Sequence, residues 1–252
     1  MGHDDQHASI ESLVESGDLN FPTLHPGGLE LTRELGELCH IREGAQVLDV
    51  CSGTGESACF LAGHFHCHVT GVDATSRMVA LATAKARGRD FAAGFCTGDA
   101  HHLPFANESF DAVICECTLC FLEKEKALGE MIRVARRGGW VGIHDLCWQE
   151  SAPASLRERL MALESENPET LRGWQEMFHR LGLPGATAVD KSSLTRNWGK
   201  QARQFLGLAG QCRVMWHVLR RWGLAGYRRI RESEKIFSGP EMGYGIIVGQ
   251  KP

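Results

Sequence analysis

The chain contains no apolar run approaching the roughly 20 residues that a bilayer-spanning helix requires, which excludes an integral helical membrane protein. Its first residues, Met1-Gly2-His3-Asp4-Asp5, lack a basic stretch followed by an apolar core, so no secretory signal is read. A large excess of either charge sign is missing too. With 27 Lys+Arg against 31 Asp+Glu and a net charge of −4, the protein has no general attraction for phosphate backbones or anionic membranes. Nucleic-acid and membrane partners are therefore not expected, and a small-molecule substrate is. Internal repeats, heptads and low-complexity tracts are likewise absent. Cysteine, by contrast, is plentiful: ten in 252 residues, without a signal sequence, point to free thiols in a reducing, cytoplasmic compartment. A chain of this length can bury a full core and is expected to form one domain with a cap; its oligomeric state leaves no trace in the sequence.

Residues 1–28 form a polar leader or lid, with a short amphipathic helix near Ile10 to Val14 and a Pro/Gly-punctuated loop from Phe21 to Gly28. Residues 29–252 form the main domain, with a cofactor-binding core over 29–147 and a helical cap with closing strands over 148–252. Leu31, Leu35 and Leu38 predict a helix from Leu29 to Cys39. Strands are predicted at Val47 to Val50, His68 to Val72, Phe95 to Ala100, Asp111 to Glu116 and Trp140 to Asp145. They alternate with helices at Glu56 to Ala62, Ser76 to Arg87 and Glu123 to Ala135, the pattern of a doubly wound parallel α/β sheet. Beyond Cys147 helices are predicted at Ala154 to Glu164, Pro168 to Leu181 and Gln201 to Trp222, with strands at Ala186 to Asp190 and Tyr244 to Gly249. The last strand is expected to run antiparallel to the one before it.

The most informative stretch is Val47-Leu48-Asp49-Val50-Cys51-Ser52-Gly53-Thr54-Gly55. An apolar strand ending in an acid enters a glycine turn, where the backbone can approach a ligand without a Cβ in the way, and the helix that follows offers free N–H groups. Asp73, at the end of the next strand, stands where a carboxylate accepts both hydroxyl protons of a ribose. Ligands of such sheets bind beyond the carboxyl ends of the strands, where Asp49, Asp73, Asp99, Cys115 to Cys117 and His144-Asp145 fall. Gly53-Thr54-Gly55-Glu56-Ser57-Ala58 also fits a dinucleotide pattern, G-x-G-x-x-A, and leaves a NAD-dependent oxidoreductase as a rival. Asp49 opposes it, because a carboxylate there would face a pyrophosphate.

Together with Gly98-Asp99-Ala100-His101-His102-Leu103-Pro104-Phe105, Ser109-Phe110-Asp111-Ala112-Val113 and Arg133-Val134-Ala135-Arg136-Arg137-Gly138-Gly139, these elements follow the order found in class I S-adenosylmethionine-dependent methyltransferases. The resemblance covers about residues 29–147 and is closest to the branch of ubiquinone and menaquinone biosynthesis enzymes and arsenite methyltransferases. It implies a seven-stranded sheet with a reversed last strand and S-adenosyl-L-methionine as cofactor. It also implies that Asp49, Cys51, Ser52, Gly53, Thr54 and Gly55 hold the methionyl end, Asp73 with Ala74 the ribose side, and Met78, Asp99 and Ala100 the adenine, while Cys115, Glu116 and Cys117 line the wall near the transferred methyl. Cys51 stands in place of the usual first glycine and Arg137 in place of the usual proline before strand five. A cofactor-binding protein without catalysis would keep Asp73 and Asp99, and Cys51 is the residue that points that way.

Methyl transfer needs alignment and desolvation, and it needs a base only where the acceptor holds its proton at neutral pH. His144 and His25 are the candidate catalytic histidines. Cys117 is the third catalytic candidate. It falls where the resemblance places a metalloid-binding cysteine, and Cys115, Cys117 and Cys147 could converge if the strand continued; packing by inert thiols is the plainer reading. No set with a recognised metal-ligand spacing is read. His64-Phe65-His66-Cys67-His68, taken as an alternating strand with three imidazoles on one side, reads as a solvated strand entry. Arg213, Arg220, Arg221, Arg228, Arg229 and Arg231 read as a solvated or ion-paired face, with Trp148, Trp174, Phe178, Met215 and Trp216 as an alternative substrate cap.

Overall fold

Val47, Leu48 and Val50 have no solvent exposure because their strand, β1 (Gln46–Val50), lies at the centre of a sheet between two parallel neighbours. These are β2 (His68–Asp73) and β4 (Phe110–Glu116), in a computed structural model that describes residues 25–252. The helix read near Ile10 to Val14 lies outside the described residues. Beyond β2 comes β3 (Ala92–Thr97), parallel to β2, and beyond β4 comes β5 (Ala135–Trp148), parallel to β4. The closing strand β8 (Met242–Gln250) inserts antiparallel between β5 and β7 (Thr187–Asp190), giving the order β3-β2-β1-β4-β5-β8-β7. This is the expected seven-stranded, mostly parallel sheet with a reversed last strand; a two-residue strand, β6 (Glu169–Thr170), adds an eighth beside the end of β5.

Alternation along the strands sends Val47 and Ile114 to one face and Leu48, Val50 and Val113 to the other, so each face has its own core. The first face is covered by α1 (Gly28–Leu38) through Leu31 and Leu35, by α2 (Glu56–Phe65) through Ala58 and Leu61, and by α5 (Ala154–Glu164) through Leu160 and Leu163. The second is covered by α4 (Lys124–Val134) through Leu128 and Met131 and by α6 (Leu171–Arg180) through Trp174 and Phe178. Each such fully buried Leu, Met or Phe contributes about 1.5–3 kcal/mol of transfer free energy. Near the sheet edge, α3 (Ser76–Ala86) packs on β3 and buries only Ala82.

Several boundaries differ from the sequence reading. The third strand starts at Ala92 and ends at Thr97, which leaves Asp99 and Ala100 in the turn that follows. The fifth begins at Ala135, because Arg136 to Gly139 stays in the sheet across a register shift opposite Phe110 and Ala112, with Gly138 at φ 73° absorbing the irregularity. His64 to His68 is not an alternating strand. His64 and Phe65 end α2, His66 takes a left-handed φ of 53°, and only His68 enters β2. The late helix α7 spans Ser193–Phe237 and is interrupted at Gly207 (φ 59°) and Gly223 (φ 63°). Its basic face is partly paired: Arg231 pairs with Glu234, Arg229 donates to the Ala162 carbonyl at 2.9 Å, and Arg220 and Arg221 lie over Trp216 and Trp222. The residues offered as a cap separate, with Trp148, Trp174 and Phe178 buried in the cores while Met215 and Trp216 are exposed.

Candidate active site

Parallel pairing in register brings the strand ends together: Asp49 lies opposite Gly71 and Ile114, and Val50 opposite Val72 and Cys115. The chain then turns through Cys51 to Gly55, with Ser52 N–H donating to the Val72 carbonyl at 3.0 Å and Gly55 N–H to the Ser52 carbonyl at 2.8 Å. Gly55 caps α2 in a left-handed conformation, and a Cβ there would lie 2.6 Å from the Phe95 ring and 2.8 Å from Ala82. Gly53, at φ 50°, faces open space instead. Thr54 is held from the side by Lys85, which also pairs with Glu56.

Two buried polar atoms in this turn have no hydrogen-bond partner, Asp49 Oδ2 and Ser52 Oγ. Burial, with Glu116 and Asp73 nearby, pushes the Asp49 carboxyl well above the usual carboxylate range, and the Ala58 N–H offsets this only in part. A buried carboxylate oxygen without a partner is costly, and a cationic ligand that also donates hydrogen bonds relieves it. Asp73 is anchored by backbone: Oδ2 accepts from Gly53 N–H and Oδ1 from Thr75 N–H, each at 2.9 Å. Its remaining lone pairs stay open to ligand hydroxyls. Ala74 is exposed at the start of the following turn and Met78 is half-buried on α3. Asp99 accepts from the His101 N–H at 2.9 Å and from its ring at 2.8 Å, which holds its carboxyl below the usual range, while Ala100 beside it is buried.

Cys51 sits at φ 62°, a left-handed region that costs a side-chain-bearing residue about 1–2 kcal/mol. This is why glycine is the natural occupant. Cys51→Gly is expected to relieve that strain, less about 0.5–1 kcal/mol of added unfolded-state freedom. The melting midpoint should rise by about 1–4 °C by calorimetry. A fall would mean that the Cys51 contact with the Cys115 thiol outweighs the strain.

Beyond β4 the site becomes charged. Glu116, 5 % exposed, has His25 Nε2 at 3.1 Å and His144 Nε2 at 3.2 Å from its two carboxylate oxygens. Its Oε2 also accepts hydroxyl hydrogen bonds from Thr32 at 3.2 Å and from Ser57. His144 Nδ1 meets the Tyr244 hydroxyl at 2.7 Å, and the two histidine rings lie 4.5 Å apart. Burial alone would raise the Glu116 carboxyl, but the two imidazoles outweigh it and hold the group well below its usual range. His25 is raised, the attraction of Glu116 exceeding the effect of burial, while desolvation lowers the wholly buried His144. The cluster therefore holds an ionised carboxylate between two buried imidazoles.

The structure thus brings His25, Glu116 and His144 together from the leader, β4 and β5, with Glu116 turned to the histidines. Thr32, Ser57 and Tyr244 complete the assembly and carry no sequence signal; Tyr244 is 100 residues from its partner. Cys117 does not continue the strand. It adopts φ 51°, so it does not follow Cys115 along one face, and among the described residues no cysteine belongs to a group of three potential metal ligands. All ten cysteines are free, and burial pushes the Cys115, Cys117, Cys120 and Cys147 thiols well above their usual range. For Cys115 the hydrogen bond with Cys51 is the larger cause and burial the second.

Residues 48–143 match the methyltransferase domain family. An O-methyltransferase of Aspergillus nomiae is 30 % identical over 213 residues, covering 80 % of this chain and 88 % of the relative. An O-methyltransferase of Penicillium expansum is 28 % identical, covering 89 % and 78 %. Phosphoethanolamine N-methyltransferase of Triticum aestivum is 26 % identical over 167 residues, and the chain spans only 33 % of its length. Among solved structures, phosphoethanolamine N-methyltransferase 2 of Haemonchus contortus superposes with a TM-score of 0.79 at 16 % identity, covering 96 % of this chain and 57 % of that one. The [4+2]-cyclase SpnF superposes with a TM-score of 0.76 at 23 % identity over 98 % of both chains.

Proposed function

The chain belongs to the class I S-adenosylmethionine-dependent methyltransferases, and from that premise we propose that it methylates an oxygen or sulfur of a small acceptor held against the Glu116 cluster. The observation that carries this reading is the buried, ionised Glu116 with His25 on one side and His144 on the other, at the strand ends beside Asp49. A hydroxyl must lose its proton as it attacks, and a buried anion bearing a histidine is where that proton can go. His25 is the member we assign to the acceptor side. His144, with no exposure and Nδ1 against Tyr244, positions Glu116 instead. The bound cofactor supplies the activated methyl. Asp49 and the 51–55 turn would hold its methionyl end, Asp73 its ribose, and Met78, Asp99 and Ala100 its adenine. Relatives named O-methyltransferases support an oxygen acceptor over the ring carbon of a quinone precursor. A metalloid acceptor on Cys117 has less support, since its thiol is held protonated by burial. The free cysteines support a reducing, cytoplasmic compartment.

The test is transfer of a labelled methyl to panels of phenols, alcohols, thiols, trivalent arsenic, amines and quinone precursors. Product is expected from hydroxyl or thiol acceptors, with the cofactor converted to S-adenosylhomocysteine in equal amount. Cofactor binding with no transfer to any panel would favour a binding protein without catalysis. Methylated arsenic lost on Cys117→Ser would restore the metalloid reading.

A further inference from the structure

We propose that His25 Nε2, His144 Nε2 and the Glu116 carboxylate form a binding site for one divalent transition-metal cation of the zinc class. The three ligand atoms lie within 4.8 Å of one another, with the nitrogens 3.1 and 3.2 Å from carboxylate oxygens. All three side chains are at most 8 % exposed, so the site is built into the fold.

The hydrogen bonds around the cluster point the lone pairs inward. The Pro26 carbonyl can only accept, so its contact with His25 Nδ1 at 3.4 Å puts the ring proton on Nδ1 and leaves Nε2 facing the carboxylate. His144 has Nδ1 on the Tyr244 hydroxyl at 2.7 Å, which is able to accept the ring proton, and Nε2 toward Glu116 at 3.2 Å. Glu116 Oε2 is fixed by Thr32 and Ser57. Yet His25 Nε2, His144 Nε2 and Glu116 Oε1 are buried and, at 3.1 and 3.2 Å from the carboxylate oxygens, form no well-directed hydrogen bond. Bare imidazole nitrogens against a carboxylate repel unless a positive charge lies between them. Two imidazoles and one carboxylate, each held by an outer hydrogen bond, are a donor set suited to zinc, iron(II), manganese or cobalt rather than to magnesium or calcium. Three protein ligands leave a coordination position open, where an acceptor hydroxyl or thiol would be acidified by the cation. Because His25 comes from the end of the leader and the other two from β4 and β5, the ion would also fasten the leader to the sheet.

The test uses the full chain, stripped with a chelator and titrated with cobalt(II) and zinc(II). One equivalent of cobalt is expected to bind with visible d–d bands and without the near-ultraviolet charge-transfer band of a thiolate, and the melting midpoint is expected to rise with zinc concentration. His25→Ala and Glu116→Gln should each weaken binding by at least on the order of 100-fold, and Tyr244→Phe, which removes only an outer hydrogen bond, by about 10-fold. Circular dichroism reports whether each variant is folded; if Glu116→Gln is not, His25→Ala and the wild-type cobalt spectrum decide the matter. Absence of a stoichiometric site, a thiolate band, or binding unchanged in folded His25→Ala would overturn the proposal, the last pointing to His64, His66 and His68. Metal binding without methyl transfer would leave this site standing and the proposed acceptor chemistry in doubt, and the converse would remove the metal alone.

Discussion

Asp73→Ala is expected to abolish binding of S-adenosylhomocysteine in titration calorimetry, with affinity falling by on the order of 10²–10⁴-fold while the chain stays folded. The carboxylate performs two tasks at one point. It ties Gly53 and Thr75 N–H groups to the end of β2, each at 2.9 Å, which sets the height of the glycine turn. Its remaining lone pairs are assigned to the ribose hydroxyls, and each hydrogen bond to a charged group is worth about 1.5–3 kcal/mol. Losing two of those and loosening the turn accounts for the range. Asp73→Asn, which keeps one acceptor oxygen, should fall between. Unchanged affinity in Asp73→Ala would show that the ribose lies elsewhere, and NAD is expected not to bind at any stage, because Asp49 would face its pyrophosphate.

That two-part role was only half visible in the chain. An acid at the end of the second strand is a sequence signal, and so is the acid at the end of the first; both follow from the period of the crossover unit, which sets where strands end. That Asp73 would grip Gly53, twenty residues earlier, depends on the parallel register between β1 and β2 and cannot be read from spacing. The same limit explains the cluster. His144 and Glu116 fall at strand ends and were legible as candidates, but Thr32, Ser57 and Tyr244 reach Glu116 or His144 from α1, α2 and β8, elements brought close only by tertiary packing. Cys117 failed as a member of a sulfur wall for a local reason: its φ of 51° ends the alternation that would have aligned it with Cys115. The late helix was legible only over Gln201 to Trp222, short of its full Ser193–Phe237, and the break at Gly207 went unread because a glycine inside a helical pattern is often tolerated, whereas Gly207 here turns the chain. The grip of Asp73 on Gly53 and the assembly around Glu116 therefore come from long-range contact, and the fold class comes from local pattern.

Gly53 and Gly55, which look equivalent in the sequence, are expected to respond to alanine in opposite ways, and the contrast tests the turn. At Gly55 a Cβ would lie 2.6 Å from the Phe95 ring and 2.8 Å from Ala82, and φ is 74°. Phe95 cannot withdraw freely, because its ring also fills the notch above Gly71, where a Cβ would lie 2.4 Å from it. Left-handed strain of about 1–2 kcal/mol and overpacking of about 1–3 kcal/mol add to roughly 2–5 kcal/mol. Gly55→Ala should therefore lower the melting midpoint by roughly 5–15 °C, a large share of an ordinary domain's stability. Gly53 shares the left-handed φ, at 50°, but a Cβ there meets nothing within 4 Å, so Gly53→Ala should cost only the roughly 1–2 kcal/mol of strain. The open space is where the cofactor's methionyl end is assigned. Gly53→Ala should accordingly keep most of its thermal stability and lose on the order of 10–100-fold in S-adenosylhomocysteine affinity, whereas Gly55→Ala loses stability first. Wild-type affinity in Gly53→Ala would place the ligand away from the turn, and the contact of Asp49 with its ammonium would fall with it.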